Sequence, residues 1–149
     1  ACGFCLTGKM GLIRQLTAGE IAGQVRVLAR HTGLRGVPFN IVLMGMGEPL
    51  HNYHHTMKAL RIICDEQGLA VAPRRITLST VGLVPAIERL AQEPVMPNLA
   101  ISLHATTDAQ RDALVPINRK YPLAELLAAC RAFPLRRRGR ITFEYVLLE

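Results

Sequence analysis

Four short apolar runs, each separated from the next by a helix-like segment, constrain the fold of this chain more than any other feature. Asn40-Ile41-Val42-Leu43-Met44, Arg75-Ile76-Thr77-Leu78-Ser79, Leu99-Ala100-Ile101-Ser102-Leu103 and Ile141-Thr142-Phe143-Glu144-Tyr145-Val146-Leu147 are short and rich in β-branched or aromatic residues, as strands are. The first reads as buried on both faces, the mark of a strand in a parallel sheet. Between the runs lie segments of helical period. Thr17-Ala18-Gly19-Glu20 has the form of a capping box, and Ile21, Val25, Leu28 and Ala29 then recur at helical spacing up to about His31. Further helices are expected from His54 to about Glu66 with Gly68 as the stop, from Val84 to Ala91, from the turn at Thr106-Thr107-Asp108 on to Leu114 with Pro116 beyond it, and from Leu123 to Phe133. Strands that alternate with helices join through right-handed crossovers, so the expected fold class is α/β with parallel strands, either an open sheet or part of a barrel. The 149 residues show no repeat, low-complexity stretch or linker, and read as a single unit.

In such sheets the carboxyl ends of the strands form the ligand face, and the chemically active residues of this chain collect there. Gly47 and Glu48 follow the first strand, Ser79 ends the second, and Ser102, Leu103 and His104 close the third. Ahead of the first helix stands Cys2-Gly3-Phe4-Cys5. Two intervening residues let both thiolates face one centre, which suits zinc, an iron–sulfur cluster or a redox disulfide. Cys64 and Cys130 fall in helical segments at no useful spacing and read as packed thiols. His31, His51, His54 and His55 lack supporting carboxylates or cysteines and are not expected to hold a metal. Gly45-Met46-Gly47 lacks the third glycine and the immediate helix of a dinucleotide fingerprint, which argues against a nicotinamide dehydrogenase.

Lys and Arg number 18 against 11 acids, a net charge of +7 that favours a polyanionic partner. The densest cluster is Arg136-Arg137-Arg138-Gly139-Arg140, with Arg74-Arg75, Arg111 and Arg119-Lys120 elsewhere; such runs are either solvated or bind phosphate. Only 5% of residues are aromatic, which argues against a stacking platform for single-stranded RNA. No apolar run reaches the roughly 18 to 20 residues of a membrane span, and no targeting segment is evident, so a cytoplasmic protein is expected.

Taken together, these residues resemble the core of a radical S-adenosylmethionine (SAM) enzyme, and more closely the adenine-C2 methyltransferases of 23S ribosomal RNA and transfer RNA. Cys2-Gly3-Phe4-Cys5 is similar to the last two cysteines and the aromatic residue of the family pattern Cys-x-x-x-Cys-x-aromatic-Cys, whose first cysteine would precede Ala1. The resemblance continues through Leu16–Ile21, Gly45–Leu50, Arg75–Thr80, Ser102–Ala105, Val115–Asn118 and Glu144–Val146. It implies a partial (β/α) barrel, residues 1–149, with first and last strands missing. It also implies a [4Fe–4S] cluster held by three cysteines, Cys2 and Cys5 among them, and SAM bound near Gly47, Glu48, Ser79, Ser102, Leu103 and His104. The implied reaction is methylation of adenine C2 through a 5′-deoxyadenosyl radical, with an electron donor such as flavodoxin. The family's methyl-carrying and resolving cysteines match neither Cys64 nor Cys130, so no catalytic cysteine is expected in this span, and the piece alone is expected to be inactive. Two alternatives stand beside this expectation: the sister group that methylates adenine C8, and a non-catalytic basic RNA-binding module whose Cys2 and Cys5 hold structural zinc.

Overall fold

The computed structural model describes residues 2–137 and 139–147. A short helix α1 (Leu6–Lys9) follows the cysteine pair, and α2 (Ala18–His31) begins at the expected capping box. There the Thr17 side chain accepts from the Glu20 N–H and the Glu20 carboxylate accepts from the Thr17 N–H, so two orphan donors of the first turn are satisfied reciprocally. Arg14 grips the same carboxylate through both guanidinium nitrogens, at 2.6 and 2.8 Å, and this pairing, chief among the causes, holds Glu20 down to about 2. The alternation then runs β1 (Ile41–Leu43), α3 (Tyr53–Cys64), β2 (Ile76–Thr80), α4 (Val84–Leu90), β3 (Asn98–Ser102), α5 (Asp108–Leu114), α6 (Leu123–Ala132) and β4 (Thr142–Glu144). Short 3-10 turns at Pro49–Asn52, Pro73–Arg75 and Pro116–Arg119 each start on a proline, whose fixed φ and missing N–H suit a first turn.

The strands form one parallel sheet in the order β1-β2-β3-β4. Ile41 lies beside Ile76, Leu43 beside Leu78, Leu78 beside Leu99, and Thr80 beside Ile101. Ile76, Leu78, Leu99 and Ile101 are at most 1% exposed and belong to one cluster with Met57, Leu60 and Ile63 of α3, Ile87 and Leu90 of α4, and Leu126 of α6. Full burial of each such side chain stabilises the fold by roughly 1.5–3 kcal/mol, so the helix-covered face of the sheet supplies the core.

Strand side chains alternate, and the opposite face carries Val42, Thr77, Ser79, Asn98, Ala100, Ser102, Thr142 and Glu144 in register. This corrects the expectation that β1 is buried on both faces: Val42 is 59% exposed. Its apolarity resembles that of a doubly covered strand, but it stands beside Thr77 at the exposed side of a face on which Ser79 and Ala100 are buried. The fourth strand is also shorter than its apolar run, ending at Glu144.

After β2 the chain turns sharply at Gly82, where φ is +103°, a region costly for a residue with a side chain. A Cβ there would lie 2.9 Å from Cδ1 of Leu126, so the turn also needs the space. Among the described residues, no helix is long and apolar enough to cross a membrane.

Candidate cofactor site

The cysteine pair is fastened to the ligand end of the sheet at two points. The Gly3 N–H donates to the Leu114 carbonyl at 2.8 Å, at the carboxyl end of α5, and a Cβ on Gly3 would sit 3.1 Å from the Ala113 oxygen. The Phe4 ring meets the His104 imidazole edge-on, with centroids 4.6 Å apart. Within the pair, the Cys5 N–H donates to the Cys2 carbonyl at 3.1 Å, closing a turn, and the Cys5 Sγ caps α1 by accepting from the Gly8 N–H at 3.3 Å. Both cysteines are free and part-exposed. Burial pushes the Cys2 thiol up, Cys5 and Glu48 add to the rise, and the Arg111 charge works against it. Soft sulfur donors on a turn, open to a ligand, fit iron–sulfur ligation and equally a thiolate zinc site.

Glu48 caps the turn after β1. Its Oε1 accepts from the Leu50 N–H at 3.0 Å and its Oε2 from the Val81 N–H at 2.9 Å, so one carboxylate pins together the loops that follow β1 and β2. Burial pushes its carboxyl up, while the Val81 and Leu50 N–H groups favour the charged form. Each oxygen keeps a second lone pair for a further donor. Gly47 precedes it with φ at +99°, which lets the loop fold back at that point.

Ser79 and Ser102 stand on neighbouring strands with hydroxyls 3.4 Å apart. Both reach a third group, Glu144 on β4: Ser102 Oγ donates to Oε2 at 2.9 Å and Ser79 Oγ to Oε2 at 3.2 Å. The Glu144 carbonyl also accepts from the Leu103 and His104 N–H groups, at 3.0 and 3.2 Å. His104 is held in the left-handed region, with φ at +61°, which is strained for a residue with a side chain. The residue is 7% exposed, and its Nδ1 is buried with no hydrogen-bond partner among the described residues. Burial pushes the imidazole below its ordinary value, the Glu144 charge partly opposing this, so the ring is neutral at pH 7. His104 thus joins a strained backbone to an unsatisfied ring nitrogen beside the cysteine turn.

The sequence-expected residues are therefore brought to one end of the sheet. Leu103 takes part differently from the others, since its N–H is engaged by Glu144 and its carbonyl accepts from Arg111, which leaves its side chain and the second lone pair of that carbonyl for a ligand. Two residues were missed. Glu144 is a single carboxylate within an apolar run, and its neighbours become visible only with the strand register. Arg111, expected among the solvated or phosphate-binding cations, is fully buried instead. Its guanidinium donates to the carbonyls of Leu103 at 3.1 Å, Val81 at 2.6 Å and Ser102 at 3.3 Å, and to Asn118 Oδ1 at 2.9 Å. Asn118 in turn donates to Asp108 and Asp112. Burial pushes the guanidinium below its ordinary value, though a group titrating this high stays protonated at neutral pH.

Of the basic cluster, Arg136 is engaged, donating to the Met96 carbonyl at 2.8 Å, while Arg137 and Arg140 are exposed; Arg138 lies outside the described residues. His31, His51, His54 and His55 are exposed, and Cys64 and Cys130 lie on α3 and α6.

The model of the radical SAM superfamily matches residues 1–149. The chain is 55% identical over 149 residues to the dual-specificity RNA methyltransferase RlmN 1 of Myxococcus xanthus, covering 99% of this chain and 42% of that protein. It is 53% identical over 147 residues to the dual-specificity RNA methyltransferase RlmN of Pelobacter propionicus, covering 99% of this chain and 41% of the relative. A crystal structure of a radical SAM methyltransferase from Sphaerobacter thermophilus superposes with a TM-score of 0.91 at 54% identity, over 98% of this chain and 43% of that one. The chain thus spans about two fifths of the length of the proteins it matches.

Proposed function

This chain belongs to the radical SAM superfamily, and on that premise we propose that residues 1–149 are the cofactor-binding part of a core domain whose whole protein methylates adenine C2 in 23S ribosomal RNA and transfer RNA. The carrying observation is the contact between Phe4 and His104, which brings the cysteine turn to the strand ends bearing Glu48, Ser79 and Ser102. The similarity to dual-specificity RNA methyltransferases supplies the substrate class.

Cys2 and Cys5 would each ligate an iron of a [4Fe–4S] cluster. That group, when bound, supplies the electron for reductive cleavage of SAM, a chemistry no side chain provides. The chain's own residues bind and orient the cofactor. Glu48 accepts from its ammonium group through the free lone pairs, Gly47 allows close backbone approach, and the Ser79 and Ser102 hydroxyls face its oxygens. His104, neutral and with Nδ1 unpaired, offers one acceptor or donor, and Leu103 an apolar contact. A soluble electron donor such as flavodoxin and a cytoplasmic location accord with this reading.

The test is anaerobic reconstitution of the full-length protein with iron, sulfide, reductant, labelled SAM and unmodified RNA. Label at adenine C2 is the expected result. Label at C8 assigns the sister reaction, and stoichiometric zinc with no cofactor cleavage overturns the enzymatic reading in favour of a binding module.

Glu48→Gln in the full-length protein should weaken SAM binding by about 1.5–3 kcal/mol, the worth of a charge-assisted hydrogen bond. Calorimetric titration without reductant measures it; unchanged affinity would mean that Glu48 serves only the Leu50 and Val81 amides. For RNA, replacing the exposed Arg137 and Arg140 with Gln should lower the slope of log affinity against log salt by about one to two units and leave RNA-free cofactor cleavage intact. A slope equal to the parent's would remove those residues from the RNA-binding surface.

A further inference from the structure

We propose that Arg111 supplies the counter-charge of the metal centre held by Cys2 and Cys5, as a positioning residue whose buried guanidinium frames the cysteine turn and makes that centre easier to reduce. The proposal rests on the reading of Cys2 and Cys5 as cluster ligands and adds to it a residue that tunes their electrostatics.

Arg111 is 0% exposed, yet among the described residues it makes no salt bridge. All four of its acceptors are neutral oxygens, the carbonyls of Val81, Ser102 and Leu103 and Oδ1 of Asn118. In the hydrogen-bonded network the carboxylates of Asp108 and Asp112 stand one step further out, behind the Asn118 amide. Buried charges are ordinarily paired or bound at a metal site, because desolvating an unpaired ion costs several kcal/mol. Carbonyl acceptors alone do not call for a cation, since a neutral amide donor would serve them without that cost.

The cysteine turn rests on residues that Arg111 ties together. Arg111 lies on α5 one helical turn before Leu114, whose carbonyl accepts from the Gly3 N–H at 2.8 Å. It also holds the Leu103 carbonyl, next in sequence to His104, whose ring meets Phe4. Burial pushes the guanidinium below its ordinary value, and first among the charges opposing this is Cys2, ahead of Asp108 and Asp112. The same pair acts in the other direction, where the Arg111 charge works against the burial that raises the Cys2 thiol. Cysteines ligate as thiolates, so a metal centre on this turn brings the negative charge that the arginine lacks. Reduction adds an electron to that centre, and a fixed cation beside it in a water-poor site stabilises the reduced form.

The experiment is a redox titration of the full-length, cluster-loaded protein without SAM, followed by electron paramagnetic resonance, in the parent and in Arg111→Lys, Arg111→Gln and Arg111→Met. Lysine keeps the charge, glutamine keeps donors without the charge, and methionine keeps neither. At a given applied potential, the two neutral variants are expected to show a ratio of reduced to oxidised cluster about tenfold lower than the parent, a midpoint ~59 mV more negative for a one-electron couple. Arg111→Lys should keep the parent midpoint even where its melting temperature falls. A merely structural arginine would change the melting temperatures and leave the midpoint of every variant that holds a full cluster in place. A neutral variant with an unchanged or more positive midpoint, or a lysine variant shifted as far as the neutral ones, overturns the assignment. If the neutral variants retain no iron, the lysine variant decides: parent iron content with the parent midpoint upholds the assignment, and any other result overturns it. A parent protein with no reducible centre overturns the reading of the cysteine pair itself, and the proposal falls with it.

Discussion

Arg111→Ala is expected to lower the thermal unfolding midpoint by roughly 6–20 °C. Removing one partner of a buried charged network costs about 3–5 kcal/mol, and a domain of this size loses about 2–4 °C per kcal/mol. The cause is specific: the guanidinium serves the Val81, Ser102 and Leu103 carbonyls and Asn118 Oδ1 at once, and alanine leaves all four without that donor in a site with no solvent exposure. Arg111→Lys keeps the charge but lacks the planar fork, and should restore only part of the loss. Thermal melts of the full-length protein followed by circular dichroism decide it. A shift of less than about 2 °C for the alanine variant would show that water replaces the guanidinium at little cost.

The largest expected effect on activity belongs to Cys5. Cys5→Ala in the full-length protein should abolish SAM cleavage and lower the iron content after reconstitution, because one cluster ligand is gone. The same substitution removes the sulfur that accepts from the Gly8 N–H at 3.3 Å, a cap worth about 1 kcal/mol at most. Compared without cluster, parent and variant should therefore differ little in stability while cleavage disappears in the reconstituted variant, and that contrast separates a ligand from a cap. Formation of 5′-deoxyadenosine at the parent rate would remove Cys5 from the cluster.

Period and punctuation made the alternation of strands and helices legible, because a buried parallel strand must be apolar and Thr17 with Glu20 announces a helix start. The candidate residues were legible for a related reason: Glu48, Ser79, Ser102 and His104 sit where polar groups interrupt or follow apolar runs. Arg111 was not, since an arginine on a short helix reads as a surface cation until the carbonyls of three other residues are seen to converge on it. Val42 illustrates the opposite error. An apolar side chain says that water is unfavourable beside it, but the face of the sheet that excludes water is decided by its neighbours Thr77, Asn98 and Ser79, which lie far away in sequence.

The strand order has a consequence for how the chain assembles. Among the described residues, each strand pairs with the strands immediately before and after it in sequence, in the order β1-β2-β3-β4. Ordering entropy is then paid one loop at a time, and each crossover brings the helix that covers the new strand's apolar side. Ile41 can settle against Ile76 before β3 exists, and Leu99 against Leu78 before β4 exists. Such a stretch of sheet grows strand by strand in the direction of synthesis, and the cluster of Ser79, Ser102 and Glu144 is completed only when β4 is added beside β3.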